Sequence, residues 1–316
     1  MNPDGIDHQQ VSVKTMALGD LIPVRNGKVA LTTFLVSVIT CLVIVRLYPP
    51  SWLLIAVVLA EVTSIVLVHL KYILSSQPLL QVILCAHGLG VAFMVGIQMT
   101  VSGHCYAYFG YYTMALSFFH MSEYVVTSIF NSHTLSIDSF LLNHSPEYCV
   151  AAVASWVEFW IEYYFFSQFK CIHVVCVLGA VLVAGGEILR KLAMFTAGSN
   201  FTHTVQFRKR QGHQLVTQGV YSFFRHPSYV GWFYWSTGTQ ILLCNPICLV
   251  GYTIASWKFF EDRIHEEEVF LITFFGEDYV KYKKKVGTGI PFISGFPLDS
   301  PQLPKILEGV TRSIVS

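Results

Sequence analysis

The sequence predicts an all-α protein that crosses a membrane several times, with about eight transmembrane helices. The first observation is that charge is missing from long stretches: no Asp, Glu, Lys or Arg lies between Lys71 and Glu123 or between Arg225 and Lys258. The second is that charged residues make up 12% of the chain, about half of the usual share in soluble domains. Since about 20 apolar residues cross a bilayer as a helix, these stretches are long enough for several spans.

Hydropathy along the chain separates eight candidate spans. The predicted spans are Val29–Leu47, Trp52–Leu70, Leu79–Val101, Tyr106–Ile129, Tyr148–Phe166, Ile172–Phe195, Tyr229–Leu243 and Ile247–Phe260. The last two are short, and only three residues, Cys244 to Pro246, separate them. Because Asn-Pro favours a turn, we expect these two helices to form a short hairpin.

The distribution of Lys and Arg predicts the orientation in the membrane. With eight spans, one face receives Arg25, Lys28, Lys71, Arg190, Lys191, Arg208, Lys209, Arg210, Lys258 and Arg263. Cytosolic loops are enriched in these residues, so this face and both termini are predicted to be cytosolic. Arg46, at the far end of the first span, is the main exception. The sequons at Asn143 and Asn200 then lie in cytosolic loops and are expected to stay unglycosylated.

Composition and short motifs exclude several classes of function. A net charge of +1 without a basic cluster argues against binding to nucleic acid. An HExxH metal motif is absent, because position 269 is Val, and no metal site is expected. The eight cysteines contain no CxxC pair, and most lie in or beside apolar runs, where we expect small buried side chains. These cysteines are Cys41, Cys85, Cys149, Cys171, Cys176, Cys244 and Cys248.

Ionisable residues inside predicted spans are costly and are therefore functional candidates. Glu61 lies in the middle of the second span, without a neighbouring charge. The others lie nearer to helix ends, where hydrogen bonds between helices are expected to satisfy them; they are Glu123, Glu158, Glu162, Glu187 and Arg190. Glu187 could pair with Arg190 or Lys191 at helical spacing.

The segment after Phe195 is rich in polar residues and leads to a predicted helix start at His226-Pro227. A helix N-terminus offers free N–H groups and a partial positive charge, which suit a carboxylate. Gly231, one turn further on, allows another group to come close to this helix. We expect a polar ligand pocket here, with an ordinary interfacial loop as the alternative.

Arg263 and Glu267 stand four residues apart on the helix that follows the hairpin, so they share one face. They could form an exposed ion pair that contributes little to stability. Alternatively, the cation and the anion lie at the mouth of the pocket and bind oppositely charged parts of two ligands.

Long strings in the C-terminal two thirds resemble a family of membrane enzymes. The strings are Ser136–Ser145, Lys191–Phe201, His226–Ser236, Phe274–Lys283 and Gly289–Ile293. They are similar to the isoprenylcysteine carboxyl methyltransferases of the endoplasmic reticulum, over roughly residues 105 to 295. The resemblance implies methylation of the C-terminal carboxylate of a farnesylated or geranylgeranylated cysteine, with S-adenosylmethionine as methyl donor. It also implies four regions: a cytosolic segment (1–28), the first four spans (29–130), a catalytic region (131–295) completed by cytosolic C-terminal helices, and a tail (296–316).

Residue by residue, the resemblance assigns two sets of contacts. The cofactor contacts are Gln206, His213, Gln214, Leu215, Val216, Tyr221, His226, Pro227, Ser228, Tyr229 and Glu267. Arg263 is the implied contact for the substrate carboxylate and the candidate catalytic residue. A guanidinium suits this role because it stays charged and binds a carboxylate with two parallel hydrogen bonds.

The implied partners are prenylated CaaX proteins such as small GTPases, together with membrane lipid. The implied location is the membrane of the endoplasmic reticulum, with the active site on the cytosolic face. The alternatives are a phospholipid N-methyltransferase or a sterol-reductase-like enzyme with the same C-terminal fold. A transporter is the alternative that is not an enzyme.

Overall fold

The computed structural model describes residues 24–47, 78–101, 103–142, 145–301 and 303. Within these ranges every regular element is a helix, so the all-α prediction is confirmed there. The α-helices are α1 (Arg25–Leu47), α2 (Pro78–Val101), α3 (Ala107–Phe130), α4 (Pro146–Phe166), α5 (His173–Ala197), α6 (Pro227–Leu242), α7 (Pro246–Phe275) and α8 (Glu277–Lys285). Short 3-10 turns lie at Ser132–Thr134, Ile137–Phe140, Ser167–Cys171, Gly198–Asn200 and Gly219–Ser222.

Local sequence explains where several helices start and stop. Pro227 and Pro246 occupy the first turns of α6 and α7, as expected for a residue that lacks an N–H and has a fixed φ. Ser145 caps α4 by accepting a hydrogen bond from the Tyr148 N–H at 3.2 Å. Gly276 ends α7 with a φ of 53°, a conformation that favours glycine.

The helices follow the predicted spans with one clear difference. The last predicted span ends at Phe260, but α7 continues without a break to Phe275. Hydropathy detects only the apolar part of a helix, and the charged residues after Phe260 continue the same helix. Among the described residues, three segments are both long and apolar enough to cross a membrane: Arg25–Val43, Leu79–Val101 and His173–Asn200. The predicted span Trp52–Leu70, with Glu61, lies outside the described residues, as does Asn143.

Glycines bring α5 and α6 into direct backbone contact. A Cβ built on Gly186 would lie 2.5 Å from the Gly231 carbonyl oxygen, and one on Gly231 would lie 2.6 Å from that of Gly186. Further along the pair, a Cβ on Gly179 would lie 2.1 Å from the Leu242 nitrogen. The prediction that Gly231 allows a close approach is therefore confirmed, and small residues of this kind are typical of helix contacts in membranes.

The carboxylate of Glu123 on α3 is fully buried and binds two neighbouring cations of α5. Arg190 donates from Nε and Nη2 to its two oxygens, at 2.7 and 2.8 Å, and Lys191 binds the same carboxylate. Of the two pairings expected for Glu187, the one with Lys191 is confirmed, whereas the one with Arg190 is not found among the described residues, because the side chain of Arg190 binds Glu123 on α3. Glu187 instead accepts from Ser122 at 2.9 Å and pairs with Lys191 at 3.3 Å.

The predicted interhelical contact of Glu158 is confirmed at the junction of α6 and α7, whereas Glu162 pairs with the turn that directly follows its own helix. Glu158 on α4 accepts hydrogen bonds from the backbone N–H groups of Ile247 and Cys248, both at 2.7 Å, and so caps α7. Glu162 pairs with the buried Lys170 at 2.6 Å. Glu158 stands in the middle of α4 but lies beside the start of α7, where the first N–H groups of a helix need partners.

The expectation that the cysteines act only as small buried side chains is wrong for Cys149, which is exposed, and for Cys171. Cys171 forms a disulfide with Cys105, with a distance of 5.2 Å between the Cα atoms. The bond joins the connection between α2 and α3 to the turn that precedes α5. The two cysteines stand 66 positions apart, so their spacing in the sequence gives no sign of the pairing.

Candidate active site

One cavity collects all the residues that the resemblance assigns to the cofactor. Its walls come from the segment 197–221, the first turn of α6, the C-terminal part of α7 and α8. It contains about 840 Å³ of empty space, counting the part that is open to solvent. The eleven predicted residues in its walls are Gln206, His213, Gln214, Leu215, Val216, Tyr221, His226, Pro227, Ser228, Tyr229 and Glu267. Residues that are more than 60 positions apart thus meet in a single cleft.

Glu267 gives this cavity a negatively charged wall. Its carboxylate accepts a hydrogen bond from the Tyr229 hydroxyl at 2.8 Å and lies 3.6 Å from Nδ1 of His226. The rings of His226 and Tyr229 are stacked, with centroids 5.5 Å apart. The side chain of Glu267 keeps 29% of its surface exposed, so the carboxylate can also bind a group inside the cavity.

Arg263 lies beside the cavity rather than in its wall. Its Nη2 donates to the His203 carbonyl at 2.9 Å, and its Nε donates to the Tyr229 hydroxyl at 3.4 Å. Among the described residues, Arg263 and Glu267 form no ion pair, and the hydroxyl of Tyr229 lies between them. The exposed ion pair that we considered as an alternative is therefore wrong, and the guanidinium is held in a fixed orientation.

The carboxylate of Glu123 connects Arg263 to the start of α6 through two side chains, Arg190 and His203. Arg190 donates from Nη1 to the Ser228 hydroxyl at 2.8 Å, while its other nitrogens bind Glu123. His203, whose carbonyl holds Arg263, also places Nε2 at 2.8 Å from Glu123. One buried carboxylate therefore positions both the first turn of α6 and the backbone that orients Arg263.

His213 has an unsatisfied atom in the cavity wall. Its Nδ1 is buried and has no hydrogen-bond partner among the described residues. Burial, together with the charges of Arg210 and Lys209, lowers the pKa of His213 below its usual value. The imidazole is therefore neutral at pH 7, and its Nδ1 can donate or accept one hydrogen bond with a ligand, depending on the tautomer.

Glu268 supports the cavity from behind, although no sequence pattern singled it out. Its carboxylate is completely buried and binds Arg225 at 2.8 Å, the Tyr279 hydroxyl at 3.1 Å and the Phe296 N–H at 2.8 Å, as well as Lys283. Burial alone would raise the pKa of Glu268, but the hydrogen bond and charge of His226 and the charges of Arg225 and Lys283 lower it far below its usual value. This ionised carboxylate joins α7, α8 and the segment around Phe296 behind the cavity.

A second, apolar cavity opens among α3, α4, α6 and α7, with about 2030 Å³ of empty space counted in the same way. Its walls include Trp232, Trp235, Phe259 and Phe260. Phe260 stacks on Tyr229, with ring centroids 5.1 Å apart. Through Phe260, the wall of the apolar cavity therefore contacts the same tyrosine that contacts Glu267 and Arg263.

Comparison with known proteins identifies the family. The model of the isoprenylcysteine carboxyl methyltransferase family matches residues 177–273. The chain is 57% identical to the protein-S-isoprenylcysteine O-methyltransferase of Xenopus laevis over 230 residues, which cover 73% of this chain and 80% of the frog protein. The chain belongs to the isoprenylcysteine carboxyl methyltransferase family.

Two further relatives of this methyltransferase support the assignment. The human protein-S-isoprenylcysteine O-methyltransferase is 54% identical over 230 residues, which cover 73% of this chain and 81% of the human protein. The solved structure of a eukaryotic intramembrane Ras methyltransferase of the same family is 41% identical, with a TM-score of 0.79. It covers 87% of this chain and the whole of the solved chain, so the membrane fold of this family is shared here.

Proposed function

We propose that this methyltransferase esterifies the C-terminal carboxylate of prenylated cysteine with a methyl group from S-adenosylmethionine. The observation that carries the proposal is the arrangement around Tyr229. Tyr229 lines the cavity with the predicted cofactor contacts, accepts a hydrogen bond from the guanidinium of Arg263 and stacks on Phe260, which belongs to the wall of the apolar cavity. The three ligand parts that the reaction must bring together are a charged methyl donor, a carboxylate and a prenyl group.

The cavity residues fit S-adenosylmethionine, a molecule with a sulfonium cation, an ammonium, a carboxylate and a ribose. It supplies an activated methyl group on the sulfonium. Glu267 suits the ammonium or a ribose hydroxyl, since a carboxylate accepts hydrogen bonds from either. The first turn of α6 suits the cofactor carboxylate, and the unpartnered Nδ1 of His213 offers one more hydrogen bond.

Arg263 is proposed to bind the carboxylate of the prenylcysteine. A carboxylate is already ionised at pH 7, so its attack on the methyl carbon needs no general base. It needs alignment in a near-attack geometry and loss of its water shell. Contacts with His203 and Tyr229 orient the guanidinium for this task.

The apolar cavity is proposed to hold the farnesyl or geranylgeranyl group of the substrate. Aromatic and small apolar side chains dominate its walls, as expected for a lipid chain. A prenyl group enters such a cavity from the bilayer, which explains why a carboxylate is methylated by an enzyme inside a membrane.

The proposed setting is the membrane of the endoplasmic reticulum, with eight spans that end in a hairpin of α6 and α7. Both termini and the active site within the catalytic region, residues 131–295, then lie on the cytosolic face, where processed CaaX proteins such as small GTPases are available. The disulfide supports this arrangement. Cys105 and Cys171 fall in loops on the opposite, lumenal face, and disulfides persist in that oxidising compartment.

Transfer of tritium from labelled S-adenosylmethionine to N-acetyl-S-farnesylcysteine tests the proposed function. We expect a product that loses its label in alkali, because a methyl ester is base-labile. An amine-directed methyltransferase would give an N-methyl product that survives alkali. Absence of base-labile product with the purified protein in lipid would refute the proposal.

Replacing Glu267 by alanine is expected to weaken binding of S-adenosylmethionine about ten- to a hundredfold, since a hydrogen bond to a charged group contributes roughly 1.5–3 kcal/mol. Calorimetric titration of the purified variant measures this loss. Glu266→Ala is the matched control, because Glu266 is the exposed neighbour of Glu267 on the same helix. Equal affinities in the two variants would remove Glu267 from the cofactor site.

The proposed topology predicts whether Asn200 is glycosylated and whether Cys105 and Cys171 are oxidised to a disulfide. Asn200 should carry no glycan in microsomes, because it lies on the cytosolic face. Once detergent has opened the microsomes, Cys105 and Cys171 should resist a thiol-reactive polymer until a reductant is added, whereas Cys105→Ser should expose Cys171 to the reagent. A glycan mapped to Asn200, or free thiols at both cysteines in untreated microsomes, would contradict the eight-span arrangement.

A further inference from the structure

A polar cleft adjoins the site described so far, and no part of a ligand has been assigned to it. It contains about 890 Å³ of empty space, counting the part open to solvent. One wall is the turn that carries Ser136, Asp138 and Ser139, and the other is the segment from Thr202 to Gln206. Except for Leu141, every side chain in its lining is polar.

The backbone keeps both walls of the polar cleft in place. The Ser136 hydroxyl accepts a hydrogen bond from the Asp138 N–H, and the Ser136 N–H donates to the Ser139 hydroxyl, both at 3.2 Å. On the other wall, the Thr202 hydroxyl donates to the Thr204 carbonyl at 2.9 Å. The carboxylate of Asp138 remains exposed at the mouth of the cleft.

The polar cleft begins where Arg263 is held. His203 lines it, and the carbonyl of His203 accepts the hydrogen bond from Arg263 Nη2 at 2.9 Å. Gln206 lies in the walls of both the polar cleft and the cofactor cavity. Through these two residues, the cleft adjoins the position in which a carboxylate bound to Arg263 would lie.

One part of the methyl acceptor, the prenylcysteine, has no binding site in the arrangement described above. A prenylcysteine has a carboxylate, a thioether with its prenyl group, and an amide nitrogen that leads to the preceding residues. Arg263 accounts for the first and the apolar cavity for the second. We propose that the polar cleft binds the polypeptide that precedes the prenylated cysteine, and that Asp138 selects a cationic side chain in that polypeptide. The proposal rests on the proposed function.

Hydroxyl and amide groups suit such an occupant, because an extended peptide has unpaired N–H and C=O groups along its whole length. Asp138 is the acidic residue in the lining. An exposed charge pair of this kind changes binding by a small factor, and the factor falls as salt is added. The selectivity should therefore appear in kcat/KM at low ionic strength.

Two farnesylated peptides that differ in one residue test the proposal: Ala-Lys-Ala-Cys(farnesyl) and Ala-Glu-Ala-Cys(farnesyl). We expect the wild-type protein to favour the Lys peptide about two- to tenfold in kcat/KM, and Asp138→Lys to favour the Glu peptide. Asp299→Lys is the matched control, because Asp299 is exposed and lies outside the cleft; it should keep the wild-type preference.

N-acetyl-S-farnesylcysteine, which has no preceding residues, separates this inference from the proposed function. A wild-type protein that fails to methylate even this compound refutes the proposed function itself. If the compound is methylated but the peptide preference is the same in wild type and Asp138→Lys, the cleft does not bind the peptide as proposed. An equal inversion in Asp299→Lys would also overturn the inference, because it would show a long-range effect of net charge.

Discussion

Replacing Arg263 by lysine is expected to lower kcat/KM for N-acetyl-S-farnesylcysteine at least about 100-fold, because displacement of a reacting group by about 1 Å can cost this much. Affinity for S-adenosylmethionine should change less than about twofold, since Arg263 lies outside the wall of the cofactor cavity. Lysine keeps the positive charge, but a single ammonium cannot both hold the His203 carbonyl and present a planar fork to a carboxylate.

Ester formation and cofactor binding should be measured on the same purified sample in lipid. Arg208→Lys is the control for the chemical change, because Arg208 is exposed in the loop and lies outside the cavity wall. Full ester formation by Arg263→Lys would show that Arg263 is not the catalytic contact. Loss of cofactor binding would instead move Arg263 into the cofactor site.

Replacing Gly186 by leucine is expected to abolish activity and to destabilise the protein by at least about 3 kcal/mol, the upper end of the usual cost of overpacking. A side chain here meets the Gly231 carbonyl oxygen at 2.5 Å and the Trp235 nitrogen at 2.7 Å, and backbone atoms cannot rotate away. Helices α5 and α6 must therefore separate, and Arg190 then loses its contact with Ser228.

The neighbouring residue provides a matched control for this change. Gly185 lies on the outer face of the same helix, and a Cβ there would have no atom within 4 Å. Gly185→Leu should therefore keep both the activity and the unfolding temperature in detergent, measured by intrinsic tryptophan fluorescence. Similar unfolding temperatures for the two leucine variants would show that the close contact between the helices does not limit stability.

The three adjacent glutamates of α7 show why part of the site could be predicted and part could not. Glu266 is exposed, Glu267 faces the cofactor cavity and Glu268 is buried. Successive residues on a helix point about 100° apart, since 3.6 residues make one turn, so the register of α7 against its neighbours decides their roles. The resemblance singled out Glu267 through its motif, but the partners of Glu268 come from distant segments that no local pattern connects.

Helix boundaries were predictable where the chain carries a local signal. The His226-Pro227 and Asn245-Pro246 pairs mark the starts of α6 and α7, because proline favours the first turn of a helix. No such signal links Glu123 with Arg190 or Cys105 with Cys171. These contacts depend on which helices become neighbours, and hydropathy does not contain that information.

The enclosed position of α6 has a consequence for biosynthesis. Twelve of its 16 residues are buried by the protein, and they include Thr237, Thr239 and Gln240. Such a helix gains little from contact with lipid, so its own hydrophobicity is a weak signal for release from the translocon into the bilayer. The face of α5 that carries Gly179 and Gly186 packs against α6. We therefore expect α6 to leave the translocon only after α5 has been inserted next to it.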